Sequence, residues 1–275
     1  MSQFILTCFA DEISSELEEQ LELLEQEGIR HLEIRNVWGK NVLELSSEEL
    51  NRLGSLLKDR GFTVSSIASP IGKYPAASPF GPQQKAMERA IDAARALNTP
   101  YIRLFSYHLP DNEPRERFRD EVLYRMKWLA EAAERSGVTI LLENDNEMYG
   151  SLWEGGMEII EHCQSPNVKF AFDSGNYVMS GVEPMLEAYP VVAPHIGYVH
   201  IKDATRDPRQ FVPAGAGQGR IDELVAALHK RGFNGYLSVE PHLHSYLPNA
   251  TDSERVRTAI RALTSLLAKQ DIAWS

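Results

Sequence analysis

Gly137-Val138-Thr139-Ile140-Leu141-Leu142-Glu143-Asn144 holds the unit from which the rest of the chain is built. Glycine tolerates the left-handed backbone that commonly closes a helix, so Gly137 reads as the stop of the amphipathic segment before it. The run after it is short, apolar and rich in strand formers, and it ends on a carboxylate and an amide. Working outward, the same grammar recurs along the chain. Strand candidates are Phe4–Ala10, His31–Arg35, Thr63–Ser69, Tyr101–Tyr107, Thr139–Asn144, Val168–Ser174, Ile196–Asp203 and Tyr236–Pro241. Gly28, Gly61 and Gly232 precede three of them as Gly137 precedes the fifth. Between strands lie helical patterns. Leu17, Leu21 and Leu24 form one apolar stripe, and Ser46-Ser47 before Glu48-Glu49 marks the start of a helix carrying Leu50, Leu53, Leu56 and Leu57. Further helical segments start near Pro82, Pro114, Leu152, Val182, Ile221 and Ser253. Right-handed crossovers repeated through eight such units close into an α/β (β/α)8 TIM barrel, a parallel eight-stranded barrel with outer helices. A doubly wound open sheet is the rival. It often carries a Gly-rich phosphate turn after its first strand, and Ala10-Asp11-Glu12-Ile13-Ser14 is not one. No linker or low-complexity tract interrupts the pattern, so residues 1–275 read as a single TIM-barrel domain.

The chain of 275 residues carries 28 basic and 39 acidic side chains, a formal charge of −11, and 43% hydrophobic residues. These proportions exclude collagen-like and disordered classes. The acid excess argues against a nucleic-acid partner, whose binding is driven by Lys and Arg displacing counterions. No run of 18 apolar residues is present, which argues against a membrane-spanning helix. The segment Met1–Glu12 has no basic stretch ahead of its apolar residues, unlike a signal peptide. Cys8 and Cys163 lie far apart in apolar contexts and read as reduced thiols. The expectation is a cytoplasmic protein with a small-molecule partner, no nucleic acid and no membrane, with homo-oligomer formation left open.

In a barrel of this class the reactive groups lie at the carboxyl ends of the strands. Those ends supply Glu143, Asp173, His200 and Glu240. Side chains alternate between lumen and helix layer, and each of these four falls opposite a bulky apolar pair: Ile140 and Leu142, Phe170 and Phe172, Val199 and Ile201, Leu237 and Val239. All four therefore point to one place. Three carboxylates at close range cannot all stay ionised without a compensating cation. One divalent metal resolves the conflict, and a carboxylate-rich shell with one imidazole suits Mn, Co, Mg or Zn.

With these residues in view, the sequence resembles the xylose-isomerase-like barrel superfamily of sugar and sugar phosphate isomerases and epimerases, which includes tagatose and psicose 3-epimerases and inositol-catabolism isomerases. The likeness runs from Phe9-Ala10-Asp11-Glu12-Ile13 through Leu32-Glu33-Ile34-Arg35 to Val199-His200-Ile201-Lys202-Asp203 and Val239-Glu240. It implies a metal shell of Glu143, Asp173, His200 and Glu240. It also implies catalysis by Glu143 and Glu240, one removing the proton beside a ketose carbonyl to give a cis-enediolate and the other returning a proton from the opposite face. Arg206 matches a family arginine that touches substrate oxygens. Where epimerases of the family often read Asp-x-x-His, this chain has Asp173-Ser174-Gly175-Asn176. Asn176 can bond a substrate hydroxyl but carries no charge. That departure keeps open a metal-dependent dehydratase of the inosose or dehydroshikimate type.

Lys202 shares a face with His200 and can either offset the negative shell or orient a substrate oxygen. Glu33, Arg35 and Arg103 read first as a lumen-facing Glu–Arg network, with substrate contact by Arg103 open. His242 and His244 follow Glu240 in a loop and read as solvated. Gly215-Ala216-Gly217-Gln218-Gly219-Arg220 reads as a mobile loop, with phosphate cradling as the alternative. A histidine-rich zinc endonuclease of the same superfamily fits poorly, because the ends of strands three and four offer only His108. A non-catalytic sugar-binding module has no need of two glutamates placed to exchange protons.

Overall fold

The computed structural model describes residues 3–110 and 113–275. Its eight parallel strands close into a barrel, in chain order β1 (Gln3–Phe9), β2 (His31–Ile34), β3 (Thr63–Ala68), β4 (Tyr101–Leu104), β5 (Thr139–Glu143), β6 (Val168–Asp173), β7 (Ile196–Ile201) and β8 (Asn234–Val239). Each strand pairs with its successor, and β8 returns to β1. The expected TIM barrel is the architecture found. Outside it lie α1 (Leu17–Gln26), α2 (Ser47–Asp59), α3 (Gly81–Ala96), α4 (Arg119–Ser136) and α5 (Trp153–Cys163). After α6 (Ser174–Met179) come α7 (Ile221–Lys230) and α8 (Asp252–Lys269). Ser46 caps α2 in a reciprocal box with Glu49, and Leu50, Leu53 and Leu57 are its buried stripe. Gly137 closes α4 in the left-handed conformation with φ +70°, as the sequence predicts. Among the described residues no helix is long and apolar enough to cross a membrane.

Strand parity holds around the barrel. Leu141, Ala171 and Tyr198 form a separate cluster in the lumen, with Tyr101 and Tyr236 packed against it. Ile140, Leu142, Phe170, Phe172, Val199, Ile201, Leu237 and Val239 belong to the larger core beneath the helices. Two register shifts adjust the lumen. One passes Ser65 on β3 between the pairs Leu32–Val64 and Glu33–Ser66. The other passes Gly197 on β7 between Phe170–Ile196 and Ala171–Tyr198. Such bulges bend a strand and re-aim its side chains, and both sit directly below residues of the site.

Three sequence expectations are corrected. β4 ends at Leu104 rather than Tyr107, because the chain turns away and Tyr107 takes φ +73°. The helix expected near Val182 is replaced by α6, which starts immediately after β6, and by short helical turns at Pro184–Ala188, Tyr189–Val192 and Ala193–His195. Pro184, Pro190 and Pro194 each remove a backbone donor and forbid a continuous helix there. The strand expected to reach Asp203 stops at Ile201, and Asp203–Arg206 instead pairs antiparallel with Arg209–Val212 in a separate hairpin over the barrel mouth.

Candidate metal centre

The ends of β5 to β8 bring Glu143, Asp173, His200 and Glu240 together. Asp173 lies level with His200 across the β6–β7 ladder, and Ser238, two residues before Glu240, lies level with His200 on the other side. All four side chains are buried, and each offers a ligand atom within 4.8 Å of the others. His200 Nδ1 stands 3.3 Å from Glu143 Oε1, 3.8 Å from Glu240 Oε2 and 4.0 Å from Asp173 Oδ2. His200 Nδ1 and Asp173 Oδ2 are fully buried yet make no hydrogen bond of good geometry. Buried polar atoms are normally satisfied, so a dication among these donors fits the residues present.

Several elements fix the cluster. Asn144 bridges the strand ends: its amide donates to Asp173 O at 2.9 Å, and its Oδ1 accepts from Asp173 N at 3.0 Å. Asp173 caps α6, accepting from Asn176 N at 2.8 Å. Lys202 donates to Glu240 Oε2 at 2.7 Å and lies 3.1 Å from Asp173 Oδ2. Arg103 Nε stands 3.2 Å from Glu143 Oε2, while its Nη1 donates to Ser69 O at 3.0 Å.

The electrostatics follow from crowding under burial. Burial, reinforced by the Glu240 and Glu143 charges, pushes the Asp173 carboxyl up to about 7 against the pull of Lys202 and His200. Burial works against a charged His200, but Glu143 and Glu33 outweigh it and raise the imidazole well above its usual value. Glu240 is held well below the carboxylate range: burial opposes this, and Lys202, His242 and His200 overcome it. Burial also opposes ionised Glu33, yet His200 and Arg103 hold that carboxyl below its usual value.

A cavity of about 310 Å³ opens above the cluster, lined by Glu143, Glu240, Lys202, Arg103 and Asn176. Asn176 Nδ2 donates to Glu143 Oε1 at 3.2 Å. Arg206 is not brought to this cavity. Its Nη2 donates to Val182 O at 2.9 Å and its Nη1 pairs with Glu183 at 3.2 Å, so the hairpin aims it along the outside of α6. The expected Glu33–Arg35 link is also redistributed: Glu33 stays deep beside His200, while Arg35 rises to Asp11 at 2.7 Å and to within 3.7 Å of Glu240.

At the mouth, one histidine read from the sequence as solvated is placed otherwise, and Phe211 and Asp11 are two groups the sequence does not single out. His242 does not stand free in solvent; its Nε2 lies 2.8 Å from Glu240 Oε1 and 3.3 Å from Glu12. Its separation of two from Glu240 was the available signal. Phe211 reaches the cavity from the hairpin and sits 5.5 Å from the His242 ring, and Asp11 anchors Arg35. The glycine-rich loop already holds an anion of the chain's own. Asp203 accepts from Gly215 N and Gly217 N through Oδ2 at 2.9 and 3.0 Å, and from Gly219 N and Ala204 N through Oδ1 at 2.7 and 2.8 Å.

Comparison with known proteins finds a match to the family model described as a xylose isomerase-like TIM barrel over residues 21–266. A search of curated proteins gives no match. Among solved structures, the IolI protein with a bound zinc atom superposes with a TM-score of 0.77 at 20% identity, covering 98% of this chain and 99% of its own. The probable 3-DHS dehydratase AsbF of petrobactin synthesis from Bacillus anthracis gives 0.76 at 17%, covering 96% and 99%. An L-ribulose 3-epimerase gives 0.73 at 20%, covering 98% and 97%. At these identities the shared property is the fold.

Proposed function

The chain belongs to the xylose isomerase-like TIM barrel family, and from that premise we propose that it is a divalent-metal-dependent isomerase or epimerase of an unphosphorylated sugar, the whole chain acting as one domain. The observation that carries this reading is the convergence of Glu143, Asp173, His200 and Glu240 within 4.8 Å at the barrel mouth. These four residues would hold one dication. Bound there, it would act as a Lewis acid toward a ketose carbonyl and its neighbouring hydroxyl.

The chain's own groups do the rest. Glu143 takes the proton from the carbon beside the carbonyl, and the electron pair moves onto the carbonyl oxygen as a cis-enediolate. Glu240, ionised at rest, passes to the opposite face a proton that it receives from His242, whose Nε2 lies 2.8 Å from Glu240 Oε1. Solvent takes the proton from Glu143 and restores the one on His242. Positioned acid–base groups contribute about 10²–10⁴-fold each. Asn176 and Arg103 hold the Glu143 carboxylate from two sides, at 3.2 Å each. Lys202 orients Glu240 and adds a positive charge where negative charge develops on substrate oxygen.

An uncharged substrate fits the charge pattern. Each cation lining the cavity already stands against a carboxylate: Arg35 on Asp11 at 2.7 Å, Lys73 on Asp145 at 2.8 Å, Arg103 on Glu143 at 3.2 Å and Lys202 on Glu240 at 2.7 Å. The loop amides that cradle phosphate in many barrels are taken by Asp203. The test is metal analysis followed by a panel of ketoses and inososes in D₂O. Deuterium incorporation at carbon, with the mass rising only by the exchanged hydrogen and no water lost, supports the isomerase. A product lighter by one water supports the dehydratase instead, a second reading favoured by Asn176 standing where a charged partner is usual among epimerases. Metal uptake with no exchange on any substrate turns the protein into a binding module.

A further inference from the structure

The side of His200 turned away from the three carboxylates faces Glu33, and the proposed function leaves that glutamate without a role. His200 Nε2 lies 3.3 Å from Glu33 Oε2, and both side chains are fully buried. Neither Glu33 oxygen makes a hydrogen bond of good geometry, nor does either ring nitrogen. The imidazole is clamped in plane by perpendicular contacts, with Phe9 at 5.2 Å and Tyr198 at 5.7 Å between ring centres. Its two nitrogens therefore keep fixed neighbours: Nδ1 the proposed ligand carboxylates, Nε2 the Glu33 carboxylate.

We propose that Glu33 is a positioning residue that accepts the Nε2 proton of His200 and so presents Nδ1 as the free lone pair for a divalent cation. The inference rests on the metal-centre reading of the four strand-end residues. Glu33 owes its position to the register shift that follows Leu32, which places it level with Ser66 and leaves Ser65 extra in the lumen. Ser65 Oγ lies 2.9 Å from Tyr198 Oη and 2.8 Å from Thr7 Oγ1. That hydroxyl chain braces the tyrosine under His200. A carboxylate behind a ligating histidine fixes its tautomer and raises its basicity, and losing such a partner weakens metal binding about 10- to 100-fold.

The test uses the full chain with Zn²⁺ alone as probe. Glu33→Ala should bind zinc about 10- to 100-fold more weakly in chelator competition, whereas Glu33→Gln, whose amide oxygen still accepts from Nε2, should recover most of that loss. In the zinc-loaded wild type, nitrogen-resolved NMR should show His200 protonated at Nε2 and metal-bound at Nδ1. A folded Glu33→Ala that binds zinc as tightly as wild type, or a zinc-loaded wild type unprotonated at Nε2, overturns the proposal while leaving the metal centre standing. A wild type that takes up no zinc overturns both. Should Glu33→Ala fail to fold, the wild-type spectrum and the Gln variant still decide.

Discussion

Glu143 is addressed from three directions: Asn176 and the His200 Nδ1 side at Oε1, Arg103 at Oε2. Glutamine at this position keeps one oxygen for those contacts but cannot take a proton. Glu143→Gln should lower solvent-deuterium exchange into a ketose by about 10²–10⁴-fold, measured with zinc content in parallel. A variant that keeps its metal and exchanges at full rate would remove Glu143 from the proton-transfer role. Proton linkage supplies a second expectation. Asp173 holds its proton up to about 7, and His200 holds one well above its usual range, yet both must release it to act as ligands. Zinc affinity should therefore fall as pH is lowered through the raised range of His200 and more steeply below about 7, with protons released on binding, while Glu240, depressed in pKa, adds no such penalty. Calorimetry in buffers of different ionisation enthalpy reads that proton count, and uptake of zinc without proton release would contradict the assignment. At this scale the sequence was informative for the four strand-end residues, because parity alone decides which way a strand residue faces. It misdirected Arg206, expected on substrate oxygens, and His242, expected in solvent, and gave no role to the Asp11 side chain, because the directions of all three are set by loops and by partners distant in sequence.

The β7–α7 connection shows how an element can organise itself around one carboxylate. Asp203 satisfies four backbone N–H groups, and a Cβ on Gly217 would meet Ala204 O and Asp203 Oδ1 at 2.4 Å. Asp203→Ala leaves those donors without their acceptor and should cost at least about 1–3 kcal/mol in urea unfolding, with the loop becoming sensitive to protease. An unchanged unfolding midpoint would mean that water replaces the carboxylate without loss. On α5, a Cβ at Gly156 would fall 2.6 Å from the Phe170 ring on β6. Gly156→Ala should therefore destabilise by about 1–3 kcal/mol through overpacking, again read by denaturation. Elements with long periodic stripes, such as α2, were legible in sequence because burial imposes the 3.6-residue period. The hairpin Asp203–Arg206 with Arg209–Val212 was not, since its residues prolong the alternation of β7 and nothing local marks where the chain leaves the barrel. The turns between Pro184 and His195 were missed for the opposite reason: apolar residues suggest a helix that the prolines then divide.

The whole molecule relies on burial rather than cross-links. Cys8 and Cys163 are free and buried, and burial pushes the Cys163 thiol up to about 11 and the Cys8 thiol well above its usual value. Thiolate is the reactive form, so a thiol reagent should label the native protein only at the rate of its opening and quickly in denaturant, and reductant should leave the melting temperature unmoved. Rapid labelling of both cysteines in the native state would show a looser barrel than the one described. Fold class was the most legible property of the sequence, because eight repeats of one grammar leave few ways to close. The stacking inside the lumen was hidden, since Tyr101, Tyr198 and Tyr236 come from distant strands. Their rings lie 5.6 to 6.4 Å apart and stop the barrel beneath the cavity. The chamber is thus a cul-de-sac: under the proposed function a product leaves through the doorway by which its precursor arrived, and the two must take turns at the threshold, so that accumulating product should slow turnover by obstructing the incoming molecule.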